Sequence, residues 1–298
     1  MSQLTAPQTL TPQPPSGRRA APRRGRRRGG SRVLVALGCA AVLAFSLFPV
    51  LVMLTTAVDA RANDGSTSLL PTDLTWDNFR FVLDEGGFTT YLVNSLFVAL
   101  STVVVSSLLA LLAAVAVARF VFRFRTALLV MVLVIQMVPM EALVIPLFIQ
   151  AKNLGMLNHL LGLVIVYVAF SLPFAIWMMR GFAAAIPKEV EEAAYVDGAS
   201  WPRMFWSVLL PLCAPGLVAT SVFSFITAWN EFVFAITFMN DQDSYTVAAG
   251  LRQFFTQYGT DWGAVMAGST LITLPVMIFF ILVQRRLSSG LVAGAVKG

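Results

Sequence analysis

Five polar side chains lie within or next to long apolar runs, where they can bind a solute or hold helices together. Trp229, Asn230 and Glu231 are consecutive, and Gln136 and Glu141 lie in an earlier apolar run. Ionisable residues at membrane depth are costly and usually face a bundle interior or an aqueous path. An aromatic ring beside an amide and a carboxylate can hold a polar solute. The alternatives are a structural network between helices or a position at the membrane interface.

The scarcity of other reactive side chains excludes several kinds of site. With one His and two Cys among 298 residues, most metal sites and disulfides are excluded. An enzyme needs a nucleophile with a base, or clustered metal ligands, and the sequence offers neither. A phosphate-binding loop needs Gly-x-x-x-x-Gly-Lys-Ser/Thr, and no Gly-Lys pair occurs. We therefore expect no metal or cofactor on this chain, and any energy from ATP has to come through another chain.

The composition is that of a membrane protein. Hydrophobic residues make up 57% of the chain and charged residues only 12%, whereas about 25% of a soluble domain is charged. A helix crosses a bilayer with about 20 apolar residues. Six stretches are long enough: Val33 to Val58, Tyr91 to Ala118, Thr126 to Ala151, Asn153 to Met179, Met204 to Asn230 and Trp262 to Gln284. We predict an all-α membrane protein whose six-span domain covers residues 32–298.

The basic residues indicate how the spans are oriented. Seventeen of the 21 Lys and Arg residues fall in the two terminal tails and in the second-to-third and fourth-to-fifth loops. Such loops favour the cytoplasm, so we predict a multi-pass protein of the cell membrane with both termini cytoplasmic. Residues 1–31 are rich in Pro and Arg and poor in large apolar residues, which predicts disorder. Their arginines are expected to fix topology and touch anionic lipid rather than nucleic acid.

The fourth-to-fifth loop, from Arg180 to Arg203, has the pattern of a helical hairpin. Pro187 suits the first turn of a helix, and Gly198 suits a left-handed residue that ends it. Ser200 is predicted to cap a second helix that starts at Trp201. A short, alanine-bearing element of this kind fits the cleft of a partner protein. The alternative is an amphipathic loop with no partner.

The residues of this loop resemble the EAA loop of ABC importer permeases. The matching positions are Glu192-Ala193-Ala194, Asp197-Gly198-Ala199 and Val208-Leu209-Leu210-Pro211. The segment from Phe225 to Phe232 is similar to the one that follows the fifth span in carbohydrate importers. The end of the chain, from Gly290 to Gly298, is similar to the terminus of the shorter permease of maltose-type importers. The resemblance covers about residues 88–298.

The resemblance implies a transport subunit with the type I ABC importer permease fold, importing a carbohydrate, and not an enzyme. The hairpin would dock in a groove of a cytoplasmic ATPase and couple ATP hydrolysis to the spans, with ATP and Mg bound by that ATPase. By the same likeness Glu192 and Asp197 would make polar contacts, and Ala193 and Ala194 would form the packed face. Gly198 would form the turn. Pro211 closes the motif.

The implied partners are a second homologous permease, an ATPase dimer and an extracytoplasmic solute-binding protein. The tail formed by Val296, Lys297 and Gly298 would reach between the ATPase subunits, and the outer loop from Asp241 to Tyr258 would meet the binding protein. The five polar side chains named first would then be candidates for the substrate path. The alternatives are a permease for a non-sugar solute or a secondary transporter, although the inverted repeats of the latter are not seen.

Overall fold

The computed structural model describes residues 28–64, 70–71 and 73–295, and within these ranges the side chains from 33 to 284. The described residues divide into two compact units, one that ends at residue 49 and one that begins at residue 50. The first helix begins at Arg28, a few residues before the predicted domain boundary. The rest of the predicted disordered tail, and the predicted contact tail Val296, Lys297 and Gly298, lie outside the described residues.

Almost all regular structure in the described residues is helical. The α-helices are α1 (Arg28–Ala57), α2 (Asp77–Arg80), α3 (Phe88–Arg119), α4 (Arg125–Ile135), α5 (Val144–Asn153), α6 (Leu160–Ala185), α7 (Lys188–Val196), α8 (Trp201–Met204), α9 (Leu210–Leu212), α10 (Ala214–Asn230), α11 (Val233–Phe238), α12 (Val247–Leu251) and α13 (Trp262–Ala295). π-Helical turns extend α2 and join α8 to α9, and short 3₁₀ turns precede α5 and flank α12. Two short antiparallel strands, β1 (Phe255–Thr256) and β2 (Gly259–Thr260), form a hairpin before α13.

The structure agrees with the predicted six membrane spans when each of two bent helix pairs is counted as one span. Four helices are long and apolar enough to cross a bilayer unbroken, namely α1 within Val33–Ala57, α3, α6 and α13 within Trp262–Gln284. The third span consists of two helical pieces, Arg125–Ile135 and Met140–Asn153, that meet at 91°. The fifth consists of Trp201–Leu212 and Ala214–Asn230, which meet at 71°. Apolar length alone predicts neither bend.

Prolines account for both bends. Pro139 has extended backbone, with φ −60° and ψ 128°, and it separates α4 from the helical turn that follows. A residue before proline is pushed out of the α region, which ends α4 shortly before Pro139. In the fifth span Pro211 and Pro215 lie on either side of the bend at Cys213. Each proline removes a backbone donor and crowds the preceding turn.

The centre of the second unit is formed by α3, α6 and α10, which pack against one another. Its buried side chains form two clusters, one around Tyr167 and Trp229 and the other around Met179 and Phe205. Between α3 and α10 the contact includes a hydrogen bond of 3.0 Å between the Ser106 and Ser224 hydroxyls. Small residues allow membrane helices to approach closely, so these helices form a tightly packed frame for the two bent spans.

The loops gather at two opposite ends of this frame. At one end the Arg119 side chain, at the close of α3, donates to the carbonyl of Ile186 in the fourth-to-fifth loop. At the other end Gln253 donates to the Gly86 carbonyl, and the Asn158 side chain accepts from the Asn240 amide. The second-to-third and fourth-to-fifth loops therefore meet at one end, and the first-to-second, third-to-fourth and fifth-to-sixth loops meet at the other. A chain that crosses a membrane repeatedly requires this alternation.

Candidate functional site

The fourth-to-fifth loop folds as a helical hairpin, which we call the hairpin loop (residues 186–203). It contains α7, a turn at Gly198, and the first three residues of α8. Gly198 has φ +78°, a left-handed conformation that costs other residues about 1–2 kcal/mol. The turn is closed by the Gly198 amide, which donates to the Tyr195 carbonyl at 3.0 Å, and by the Ala199 amide, which donates to the Ala194 carbonyl at 2.9 Å. The predicted helix, turn and helix are confirmed.

One detail of the predicted hairpin is wrong. The Ser200 hydroxyl makes no capping hydrogen bond, although α8 begins at Trp201 as expected. A capping hydroxyl bonds to the amide of the second or third helical residue, and Pro202, the second residue of α8, has no N–H, which leaves the Arg203 amide as the one remaining donor. The extended backbone of Ser200, with ψ 159°, still starts the helix, and its carbonyl accepts from the Met204 amide.

The predicted coupling residues lie on two different faces of the hairpin loop. Glu192, Ala193, Asp197 and Gly198 are exposed. Ala194 is partly buried and packs against the buried cluster around Met179 and Phe205. The two alanines therefore face in different directions, and Ala193 is the one on the exposed side of α7.

Two further features belong to this end of the molecule. Pro211 is exposed and lies in α9, just before the bend of the fifth span. Val196, at the C-terminal end of α7, is 87% exposed. An apolar side chain left open beside acidic neighbours gives the exposed face of α7 both polar and apolar surface for a protein contact.

Sequence analysis missed an ion pair that anchors the hairpin loop. The guanidinium of Arg119 pairs with the carboxylate of Glu191, the residue next to the predicted Glu192. The two side chains are only 11% and 12% exposed. Two adjacent glutamates on a short helix give no sequence signal that tells which one faces inward.

The bend of the third span forms one wall of a cavity of about 380 Å³. Both polar residues predicted in this span, Gln136 and Glu141, line it. The remaining lining comes from Ile135, Val138, Pro139, Met140, Phe170, Pro173 and Thr227. Irregular backbone at membrane depth is tolerated where it lines a water-filled cavity or is buried in protein. The structure thus brings a carboxylate, an amide, a hydroxyl and an aromatic ring to one open cavity.

The three consecutive residues predicted for the substrate path, Trp229 to Glu231, do not line this cavity together. Trp229 is 1% exposed and stacks on Phe225 with ring centroids 5.4 Å apart. Glu231 is 6% exposed. Asn230 is exposed, and its side-chain amide donates to the Ile226 carbonyl within its own helix. The triplet therefore contributes no cluster of open polar groups comparable with the cavity at the third-span bend.

Glu231 has a clear structural role in the break between α10 and α11. Its carboxylate accepts a hydrogen bond of 2.5 Å from the Tyr167 hydroxyl. It also accepts from the amides of Phe234, at 2.9 Å, and Ala235, at 3.1 Å. These are free donors in the first turn of α11, and a carboxylate there is favoured by the helix dipole. The unfavourable burial of the Glu231 carboxylate is thus offset by three hydrogen bonds.

The fifth-to-sixth loop carries a second cavity at the opposite end of the frame from the hairpin loop. It has a volume of about 280 Å³ and lies largely within the segment from Asp241 to Tyr258. Gln242, Tyr245, Arg252 and Gln253 contribute its polar lining. This end therefore offers hydrogen-bonding groups in a recess, formed by the loop that sequence analysis singled out.

Comparison with known proteins identifies the family. The model of the family "binding-protein-dependent transport system inner membrane component" matches residues 106–292. The diacetylchitobiose uptake system permease protein DasC of Streptomyces coelicolor is 42% identical over 254 residues, which is 85% of this chain and 92% of that protein. The trehalose/maltose transport system permease protein MalG of Thermococcus litoralis is 36% identical over 90% of this chain and 97% of its own length.

A solved structure shares the fold. The crystal structure of a bacterial ABC transporter involved in the import of the acidic polysaccharide alginate contains a chain that superposes with a TM-score of 0.75, at 22% identity. The match covers 89% of this chain and 99% of that one. Together with the spans and the hairpin loop, these similarities show that the chain belongs to the family of binding-protein-dependent transport system inner membrane components, and is a membrane-spanning transport permease.

Proposed function

We propose that this chain is one permease subunit of an ATP-driven importer of a carbohydrate, and that its hairpin loop docks in a cytoplasmic ATPase. The observation that carries the proposal is the exposed face of α7 and its turn, which presents Glu192, Ala193 and Asp197 while the opposite face is held by Arg119. A rigid projection with an acidic and small-residue surface suits a groove that carries basic side chains. ATP and Mg would be bound by the partner.

The orientation follows from the same proposal. The basic loops and the hairpin loop lie at one end of the frame, and this end would face the cytoplasm together with both termini. The opposite end, with its polar recess at Gln242 and Arg252, would face an external solute-binding protein. A second, homologous permease would complete the path through the lipid bilayer. The tail from Val296 to Gly298 would add a contact with the ATPase.

A carbohydrate is the proposed substrate class for two reasons. The two relatives described above are named for the transport of diacetylchitobiose and of trehalose and maltose. The cavity at the third-span bend combines Gln136, Glu141, Thr227 and the ring of Phe170. Amide, carboxylate and hydroxyl groups form hydrogen bonds with sugar hydroxyls, and an aromatic face packs on the apolar side of a sugar ring.

Reconstitution in proteoliposomes tests the proposal. Uptake of labelled disaccharides should require ATP, the ATPase subunit and the binding protein together. Glu192→Ala should lower uptake without affecting membrane insertion, whereas Glu189→Ala, an exposed carboxylate of the same helix, serves as the matched control. Uptake by this chain in vesicles that lack any ATPase subunit would refute the proposal.

A further inference from the structure

The Arg119 guanidinium joins three elements at the base of the hairpin loop. Arg119 is the last residue of α3. One of its terminal nitrogens donates to the Ile186 carbonyl at 2.9 Å, directly after α6 ends at Ala185. Its Nε pairs with the Glu191 carboxylate in α7. One rigid side chain therefore links the ends of two spans to the hairpin loop.

The ion pair between Arg119 and Glu191 connects α7 to the end of α3. Among the side chains of α7, all of which the structure describes, only Glu191 has a hydrogen bond or ion pair with another element. Ala194, three residues later on the same face, adds an apolar contact. Glu189, Glu192 and Val196 are exposed. The contacts of α7 with the rest of the chain thus include one buried ion pair with α3 and one small apolar side chain.

A buried ion pair is a poor way to add stability but a good way to fix geometry. Removing both charges from water is costly, and apolar side chains of similar size often stabilise as well or better. Arginine, however, presents its donors in a planar fork, so the hydrogen bond to Ile186 and the ion pair with Glu191 together fix its direction. An alanine or leucine contact can slide as helices shift, whereas a guanidinium held by a hydrogen bond and an ion pair transmits a displacement in either direction.

We propose that Arg119 and Glu191 are positioning residues that tether the hairpin loop to the spans, so that displacement of α7 moves the ends of α3 and α6. This inference rests on the proposed docking of the hairpin loop in an ATPase. It assigns a different task to each of two adjacent glutamates. Glu192 faces the partner, and Glu191 holds the loop to its own chain.

The test uses the complete importer in proteoliposomes, with ATP hydrolysis and sugar uptake measured in the same preparation. Glu191→Gln removes the charge of the carboxylate with little change of shape. We expect the ATPase still to bind and hydrolyse ATP, and the sugar imported per ATP to fall about tenfold, equivalent to a coupling of about 1.4 kcal/mol. Glu189→Gln, the same change at an exposed position of α7, should keep the wild-type ratio.

A double variant separates tethering from simple stabilisation. Arg119→Met with Glu191→Leu removes both charges, so no buried charge remains unpaired, and the melting temperature should return close to that of the wild type. If the pair is a tether, the ratio of sugar to ATP stays low in this variant. Recovery of the wild-type ratio in the double variant would overturn the proposal, as would a normal ratio in Glu191→Gln.

Failure of the proposed function would look different. In that case the wild-type chain itself would show no ATP-dependent uptake and no association with the ATPase subunit, before any variant is compared. If Glu191→Gln does not fold, the double variant alone decides, because its expected low ratio does not depend on the single variant.

Discussion

Replacing Glu231 by Gln tests whether this carboxylate is a structural cap or a ligand of the substrate. In the structure one carboxylate oxygen accepts from the Tyr167 hydroxyl and the Ala235 amide, and the other accepts from the Phe234 amide. Gln has the same shape but a single acceptor oxygen. It can keep the first two bonds, without the charge, and turns an N–H group towards the amide of Phe234.

The expected loss of stability follows from the Phe234 amide that is left without an acceptor and from the loss of the negative charge. An unsatisfied buried amide costs about 1–3 kcal/mol, and a hydrogen bond to a charged group is worth about 1.5–3 kcal/mol, against about 0.5–1.5 for a neutral one. Glu231→Gln should therefore lower the free energy of unfolding by about 2–4 kcal/mol. Tyr167→Phe removes one donor and should cost less, about 1.5–3 kcal/mol. The double variant should cost less than the sum, because Glu231→Gln weakens the same hydrogen bond that Tyr167→Phe removes.

Unfolding of the purified protein in mild detergent, followed by circular dichroism, measures these differences. Glu189→Gln supplies the matched change at an exposed carboxylate and should lie within about 0.5 kcal/mol of the wild type. If Glu231→Gln were as stable as that control, the capping argument would be refuted. Loss of sugar uptake at unchanged stability would instead support a place for Glu231 in the substrate path.

Three further predictions concern other parts of the chain. Gly198→Ala should destabilise the hairpin turn by about 1–2 kcal/mol because φ is +78°, whereas Gly198→Asn should be milder, and equal melting temperatures for the two would contradict this. Glu141→Gln should raise the KM for uptake several-fold without changing the melting temperature, and an unchanged KM would count against the cavity as a sugar site. Gly250→Ala should lower the melting temperature, because the added Cβ would lie 2.2 Å from the Tyr91 ring. Such overpacking destabilises a folded protein by about 1–3 kcal/mol. An unchanged melting temperature would show that the Tyr91 ring can move.

The features that the sequence predicts well are those that depend on neighbouring residues. Apolar length defines the six spans, and Gly198 marks the hairpin turn, because a left-handed residue has few alternatives to glycine. The family of permeases follows from the fixed spacing between Glu192 and Pro211. Each of these signals lies within about 25 residues of chain and needs no knowledge of which helices meet.

The features that the sequence does not predict depend on which helices meet. The partner of Glu231 is Tyr167, in another span, and the partner of Glu191 is Arg119. The helical phase of α7 is also ambiguous, because residues on an α-helix are separated by about 100° and α7 has only nine residues. Pro139 marks the bend of the third span, but the presence of a proline in a membrane helix does not determine the angle of the bend.

The cavity at the third-span bend and the hairpin loop are connected by α6, which is continuous, and by the bent fifth span. On α6, Pro173 lines the cavity and Ala185 precedes the carbonyl that Arg119 holds, a separation of about 18 Å along a helix that rises about 1.5 Å per residue. On α10, Thr227 lines the same cavity, and the fifth span leads from it back to the hairpin loop. The rings of Phe174 and Phe223 lie 3.9 Å apart and join these two helices. A displacement of α7 can therefore reach the cavity wall through packed helices. One connection is α6, and the other is the fifth span, which can flex at its bend.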